Sequence, residues 1–333
     1  MSNAYTQARS TFALSIPPSN PNFVTSIFDK YASDPSLLAM LWVSNDNPPR
    51  TQHLTYAYFA ERSHKVACAL YKLGLRKGDR VVVMLPRIPA WWELALGMLR
   101  LGVVLVPSTM LLVSKDIEYR LEACGARGFI GSVDSSTQFV RCRKVPTLVE
   151  FTILVEDYFN SEKVPDSRFK WIWYEELLRS VPDGAKWSGT QFSVEDPSII
   201  YFTSGTTGMP KMVQHTQISY PFGCVITGRY WLRLKPGKLY WTITEQGWAK
   251  AAWAFFATFV GPPVKIDAKF RIAEQHSSWL ICEVHLTGKR SFNIYTSIQL
   301  RHSVLLPLSI VLSSCPSQQS TYKPIHQNVW NIV

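Results

Sequence analysis

The sequence predicts an α/β fold in which a largely parallel sheet is covered by helices. Short, continuously apolar runs at residues 81–85 and 103–106 are typical of strands that are buried on both faces. Segments with helical spacing separate such runs, as expected for strand–helix–strand units joined by right-handed crossovers. The 333 residues are 47% hydrophobic and 18% charged, which is the composition of a globular chain long enough for one large domain or two.

The individual elements have local signals in the sequence. Thr55 is a suitable N-cap for the helix that follows it, and Gly74 and Gly102 are suitable stops for two helices. Up to residue 180 the predicted order is helix 23–31, strand 38–43, a helix from Thr55 to Leu73, strand 81–85, helix 89–102, strand 103–106, helix 115–124, strand 127–131, strand 151–155 and helix 174–180.

The most informative stretch runs from residue 198 to residue 211. Residues 198–202 are predicted to form a buried strand, which stops at a run of hydroxyls and glycines. Glycine lets the main chain approach a ligand closely, hydroxyl and N–H groups are donors, and Lys211 adds a full positive charge. This pattern predicts a polyphosphate site formed by Thr203, Ser204, Gly205, Thr206, Thr207, Gly208, Met209, Pro210 and Lys211.

Two other interpretations of this loop compete. The P-loop pattern G-x-x-x-x-G-K-[ST] requires a lysine directly after a glycine and a helix that begins there. Here Pro210 precedes Lys211 and residues 212–215 look extended, so we predict a strand, a phosphate loop and a second strand. A Ser/Thr/Gly-rich surface hairpin that binds nothing is the remaining alternative.

Three more elements are predicted after the loop. Residues 219–230 are expected to be helical, with Pro221 tolerated in the first turn. Residues 239–244 have the β-branched and aromatic content of a strand. An Ala-rich and aromatic helix follows at residues 249–259, and Gly and Pro at 261–263 end it.

Several segments together carry a resemblance to one family. The loop at 203–211 resembles the [ST]-S-G-[ST]-T-G-x-P-K signature of the adenylate-forming superfamily, which includes acyl-CoA synthetases, luciferases and peptide-synthetase adenylation domains. Four further segments look like the medium-chain acyl-CoA synthetases, the mitochondrial branch of that superfamily: residues 86–92, 116–121, 228–232 and 247–250. The match covers roughly residues 20–264.

The resemblance implies a function as well as a fold. Such enzymes join a medium-chain fatty acid to ATP, release diphosphate, and pass the acyl group from AMP to coenzyme A. By resemblance, residues 203–211 would hold the phosphates of ATP, supplied as its Mg²⁺ complex, and Lys211 would be the catalytic cation. Gly247 and Trp248 would form a wall of the acyl pocket, although a Trp beside an Ala-rich helix is also a common core residue. No residue is predicted to bind a metal directly.

The sequence departs from the family pattern at several positions. Leu111 occupies the place of a glutamine that lies near coenzyme A in relatives, and His215 is expected to be structural. The [YF]-G-x-T-E motif for adenine and magnesium, the T-G-D motif for ribose and a C-terminal catalytic lysine are not found in this sequence.

The resemblance suggests a domain organisation. We expect an N-terminal extension at 1–19, a partial adenylate-forming large N-terminal domain at 20–264, no small C-terminal domain, and a divergent tail at 265–333. No Asp or Glu follows Glu283, and neither the helical nor the strand periodicity persists in this segment. An alternative or aberrant C-terminus joined to a truncated synthetase is therefore favoured over an interaction tail. If much of the family's sheet is missing, helix 249–259 should leave an apolar face exposed.

Composition restricts the partners. The net charge of +11 comes from dispersed Lys and Arg without an aromatic stripe, so it suits small anions such as ATP and coenzyme A, and RNA binding is a weaker alternative. Six separated cysteines favour a reducing compartment over disulfides or a metal. Neither a secretory signal nor an apolar run of membrane-spanning length is visible, so no stable membrane insertion is expected.

The sequence leaves alternatives for the location and for the activity of the chain. The resemblance implies the mitochondrial matrix, and the cytoplasm is the alternative. A catalytically silent chain that retains only nucleotide-phosphate binding is the alternative to an active ligase, and the oligomeric state is not predicted.

Overall fold

The computed structural model describes residues 19–44, 48–145, 147–156, 169–203, 208–226, 228, 240 and 244–259. Its strands are β1 (Leu38–Val43), β2 (Thr51–Thr55), β3 (Arg80–Met84), β4 (Val104–Pro107), β5 (Gly128–Ser132), β6 (Phe151–Val155), β7 (Trp171–Trp173), β8 (Pro197–Thr203) and β9 (Lys211–Thr216). Its helices are α1 (Phe23–Ser26), α2 (Tyr56–Lys72), α3 (Pro89–Leu101), α4 (Ser114–Cys124), α5 (Val133–Val140), α6 (Tyr174–Arg179), α7 (Ser219–Ile226) and α8 (Ala249–Phe259), and a 3₁₀ turn spans Phe28–Tyr31.

The strands form two sheets. β1 and β2 make an antiparallel pair, and the other seven make one sheet in the order β7-β6-β5-β3-β4-β8-β9. Every neighbouring pair from β7 to β8 is parallel, and β9 alone in this sheet runs antiparallel to its neighbour β8. The predicted α/β architecture with a mostly parallel sheet is therefore confirmed.

Helices cover both faces of the seven-stranded sheet. One face carries α1, α2, α3, α6 and α8, whose apolar residues share a core with Val81 and Val83 of β3. The other face carries α4 and α5, which pack with Val82 and Met84 of the same strand. Because alternate residues of a strand point to opposite faces, an unbroken apolar run is required where both faces are covered.

Local signals account for the ends of the main helices. The Thr55 hydroxyl accepts a hydrogen bond from the backbone N–H of Tyr58 and caps α2, as predicted. Gly102 ends α3 with φ +87°, in the left-handed region that glycine tolerates. Within the described ranges, no helix combines the length and apolarity needed to cross a membrane.

The predicted elements differ from the structure in two ways. Strands β2 and β7 and helix α5 were not predicted, and the helix predicted at 23–31 is a short α-helix followed by a 3₁₀ turn. Helix α7 confirms the start of the helix predicted at 219–230, and residues 227, 229 and 230 lie outside the described residues. The strand predicted at 239–244 lies mostly outside the described residues, as does the tail from residue 260.

The expectation that helix 249–259 exposes an apolar face is wrong. Phe255 and Phe256 of α8 are 4% and 0% exposed, and four of its alanines are also buried. The ring of Phe256 lies edge-on to Phe23 of α1 at 4.8 Å, and Phe255 contacts Trp91 of α3 at 5.7 Å. Helix α8 therefore packs against α1 and α3, which belong to the N-terminal half of the chain.

A buried carboxylate joins three helices on the same face. Glu93 of α3 is 2% exposed. It accepts hydrogen bonds from the hydroxyls of Tyr58 (2.7 Å) and Tyr174 (2.8 Å) and from Nε of Arg62 (2.6 Å). The Arg62 guanidinium also pairs with Glu175 of α6. Burial and the Glu93 charge together raise the pKa of Tyr174 well above its usual value, so the hydroxyl stays protonated as a donor.

Candidate phosphate-binding site

The hairpin formed by β8 and β9 carries the predicted phosphate loop. Residues 198–202 of β8 are buried, Thr203 at its end is exposed, and Thr203 lies opposite Lys211 in the antiparallel pair. Residues 204–207, which include four of the nine predicted loop residues, lie outside the described residues. Lys211 begins a strand and not a helix, so the two predicted strands are confirmed and the P-loop interpretation is excluded. The phosphate-binding role of the residues between them stays a prediction.

The described end of the loop is open to solvent. Gly208 has φ +91°, a conformation that side chains rarely adopt, and a Cβ there would contact nothing within 4 Å. Met209 is 52% exposed, and Lys211 is exposed. A glycine with a free approach beside an exposed cation fits an anionic ligand such as a phosphate.

The hairpin loop lies at the carboxyl edge of the parallel strands. β4, which precedes residues 108–113, is the neighbour of β8 in the sheet. Ligands of open α/β sheets bind outside this edge, because the connecting loops that leave it are free to carry function. Residues 108–113 leave β4 at this edge, and residues 244–248 contact them.

Glu245 holds residues 108–113 and residues 244–248 together. Its carboxylate accepts hydrogen bonds from the Thr109 hydroxyl (2.6 Å) and from the backbone N–H of Met110 (2.5 Å). Burial lowers the pKa of the nearby Arg87, and the negative charge of Glu245 opposes that shift. Sequence reasoning missed this role, because the partners are separated by 136 and 135 residues.

Gly247 approaches the backbone of the loop after β4. A Cβ at this position would lie 2.1 Å from the Thr109 nitrogen and 2.6 Å from the Ser108 carbonyl carbon. Glycine is thus required by close packing of two main chains. Trp248 beside it is 52% exposed, so the alternative that this Trp is a core residue is wrong.

Two buried polar atoms accompany this contact. Ser108 is 2% and Gln246 3% exposed, and neither the Ser108 Oγ nor the Gln246 Oε1 has a hydrogen-bond partner among the residues that the structure describes. Leu111, in contrast, is 77% exposed at the same edge. The edge therefore combines unsatisfied polar atoms with exposed apolar side chains, a mixture that suits a ligand with polar and apolar parts.

His215 lies away from the open end of the loop. Its ring packs edge-on against Tyr220 of α7, with centroids 4.2 Å apart, and burial lowers its pKa. These contacts agree with the structural role expected for it. Lys211 and His215 thus share one strand but face different surroundings.

Replacement of Gly247 by alanine should separate residues 244–248 from residues 108–113. The added methyl meets backbone atoms that cannot rotate away, so we expect a loss of about 1–3 kcal/mol in the free energy of unfolding. Faster hydrogen exchange of the Met110 amide, measured by mass spectrometry, should accompany it. Gly223→Ala is the control, because a Cβ there contacts nothing within 4 Å. Equal behaviour of the two variants would contradict the close-packing interpretation.

Comparison with known proteins agrees with this geometry. The model of the AMP-binding enzyme family matches residues 29–265, which is most of the chain. The chain belongs to the AMP-binding enzyme family. The match includes the hairpin, the loop after β4 and α8.

Individual relatives of this chain are acyl-coenzyme A synthetases. The mitochondrial acyl-coenzyme A synthetase ACSM5 of Mus musculus is 35% identical over 254 residues, which are 74% of this chain and 42% of that protein. The mitochondrial ACSM4 of Homo sapiens is 34% identical over 244 residues, 71% of this chain and 40% of that protein. The chain thus spans about two fifths of the length of these curated relatives.

A solved structure shares the fold. The crystal structure of Brucella canis acyl-CoA synthetase superposes with a TM-score of 0.66 at 20% identity, covering 78% of this chain and 47% of the other. The predicted resemblance to acyl-CoA synthetases is therefore confirmed at the level of the AMP-binding family and its fold.

Proposed function

We propose that the chain takes part in AMP-forming acyl-CoA ligation: a medium-chain fatty acid, ATP and coenzyme A give acyl-CoA, AMP and diphosphate. The observation that carries this proposal is the β8–β9 hairpin: its first strand is buried and ends at the carboxyl edge of the sheet, and its second strand begins with exposed Lys211. The family membership and the acyl-coenzyme A synthetase relatives support the same chemistry.

Each part of the edge has a proposed role. Residues 203–211 hold the phosphates of ATP, and Lys211 neutralises the charge that develops between the α- and β-phosphates as the carboxylate attacks. Gly247 and Trp248 form a wall of the acyl pocket, and the exposed indole of Trp248 supports this. Magnesium would enter with ATP, as its complex with the phosphates.

The remaining assignments are also proposals. The partners are small molecules and not nucleic acid, because the basic charge is dispersed. The mitochondrial names of the relatives support the mitochondrial matrix. We propose the domain organisation given above, with an extension at 1–19, the AMP-binding part at 20–264 and a tail at 265–333.

Replacement of Lys211 by alanine tests the proposal. With octanoate and MgATP, the wild-type chain should exchange labelled diphosphate into ATP, and Lys211→Ala should lower that rate about 10²- to 10³-fold, the effect of losing one transition-state donor. Lys170→Ala removes the same charge from an exposed site beside β7, at the opposite edge of the sheet, and should have no effect.

The alternative is a catalytically silent chain that only binds nucleotide phosphates. In that case the wild-type exchange rate would equal that of Lys211→Ala, while MgATP would still bind to the wild-type chain and bind more weakly to the variant. The exchange assay therefore distinguishes the two functions, and calorimetric titration with MgATP shows whether a silent chain still binds the nucleotide.

A further inference from the structure

The hairpin has two limbs, β8 up to Thr203 and Pro210 with β9, and the sheet supports the second limb on one side only. β9 is the edge strand of the described sheet, and its first four residues, Lys211 to Gln214, are exposed. Seven residues separate Thr203 from Lys211, which face each other across the hairpin. An edge strand has a hydrogen-bonded neighbour on one side only, so contacts with another element can fix its position.

Helix α4 contacts the second limb through one hydrogen bond. The Tyr119 hydroxyl donates to the carbonyl oxygen of Pro210 at 2.8 Å, across 91 residues of sequence. That carbonyl belongs to the peptide that links Pro210 to Lys211, and a peptide is planar. A hydrogen bond to its oxygen therefore limits the orientation of the Lys211 backbone as well.

The same turn of α4 contacts the first limb. The Tyr119 ring lies edge-on to Phe202 with centroids 5.9 Å apart, and the Arg120 guanidinium lies 5.0 Å from the centre of that ring. Phe202 is the residue before Thr203 in β8 and is 8% exposed. Both limbs of the loop are thus attached to one rigid element.

α4 itself is well anchored. Ile117 and Leu121 are 1% and 0% exposed and belong to the core on this face of the sheet. Gly125 ends the helix with φ +58°, and the Arg80 side chain donates to the carbonyls of Cys124 and Gly125. Tyr119 is therefore presented from a fixed backbone.

We propose that Tyr119 is a positioning residue for the phosphate loop: its hydroxyl holds the Pro210–Lys211 peptide, so that Lys211 is placed for an anionic ligand. The proposal rests on the proposed function only for its effect on nucleotide binding. Its effect on the loop does not depend on any ligand.

Two variants and one control test the proposal. Tyr119→Phe removes the hydroxyl and keeps the ring contact with Phe202, and Tyr119→Leu removes both. Tyr71→Phe is the control, because Tyr71 is an exposed tyrosine on α2 whose hydroxyl makes no hydrogen bond with the described residues. Hydrogen exchange of the peptide that spans 203–216 and calorimetric titration with MgATP are measured for each chain.

Tyr119→Phe should raise the exchange rate of the loop amides and weaken MgATP binding about 3- to 10-fold, the scale of one neutral hydrogen bond. Its thermal midpoint should match that of Tyr71→Phe. In Tyr119→Leu the loop amides should exchange faster still, and faster exchange should extend to the amides of the first limb.

The outcomes separate the two proposals. Wild-type exchange rates in both Tyr119 variants would overturn the positioning role, whatever the affinity of the variants for MgATP. Faster exchange with equal MgATP affinity would also overturn it, because the hydroxyl would then hold the loop without placing Lys211. If the wild-type chain binds no MgATP, the proposed function fails, and the exchange data alone decide whether Tyr119 holds the loop.

Discussion

Replacing Glu93 with alanine is expected to destabilise the folded chain by about 3–5 kcal/mol. The carboxylate is 2% exposed, and its loss leaves the Arg62 guanidinium, 18% exposed as a side chain, with one partner fewer. The Tyr174 hydroxyl, which donates only to Glu93, would be buried without an acceptor. Removing one partner of a buried charged group costs more than the pair contributes, because the remaining groups stay desolvated. Urea unfolding followed by circular dichroism measures the loss.

Glu175→Ala is the matched control for Glu93→Ala. Glu175 also pairs with Arg62, but its side chain is 44% exposed, so water replaces the lost contact and the expected cost is about 1 kcal/mol or less. A small and equal effect of the two substitutions would show that Glu93 does not stabilise the packing of α2, α3 and α6.

Replacing Phe256 with alanine is expected to cost about 3–5 kcal/mol of the free energy of unfolding. Phe256 is 0% exposed and touches three aromatic rings: Phe23 at 4.8 Å, Phe255 at 4.9 Å and Tyr220 at 5.9 Å. The substitution leaves a cavity between α8 and α1 that the surrounding rings cannot fill. The transition midpoint in urea should fall accordingly.

Lys250→Ala on the same helix is the control for Phe256→Ala. Lys250 is exposed, and alanine is the stronger helix former, so this change should leave stability within about 0.5 kcal/mol. If Phe256→Ala were as mild as Lys250→Ala, α8 would not be docked on α1 and α3, and the exposed apolar face expected from the sequence would be restored.

The buried strands of the parallel sheet were predicted because their signal is local. A strand covered on both faces needs apolar residues at nearly every position, so the runs at 81–85, 151–155 and 198–202 could be predicted without knowledge of their neighbours. Caps act over a few residues too, which is why Thr55 and Gly102 marked helix ends correctly.

The missed elements lack such a signal. β2 has the sequence Thr-Gln-His-Leu-Thr and is half exposed, β7 has only three residues, and α5 carries two serines and a threonine in eight positions. Each forms because a neighbour is available: β1 for β2, β6 for β7, and the core beneath Phe139 for α5. Tertiary context overrides weak propensity in all three.

The residues of the candidate site also fall into two groups, those with a local signal in the sequence and those without one. The glycines, hydroxyls and lysine of residues 203–211 could be recognised in the sequence, because a phosphate loop is a contiguous set of donors. Tyr119, Glu245 and the close approach of Gly247 to Thr109 could not, because each depends on contacts between residues 91 to 138 positions apart.

The α/β class, the strands β8 and β9 and the family could be predicted from the sequence, since each is encoded in short runs of residues. The tertiary structure alone decided which elements meet: α8 with α1, Glu93 with Arg62 and two tyrosines, and α4 with both limbs of the hairpin. The physical reason is that burial and hydrogen-bond geometry are properties of pairs of distant segments, and a linear pattern records only what each segment contributes to the pair.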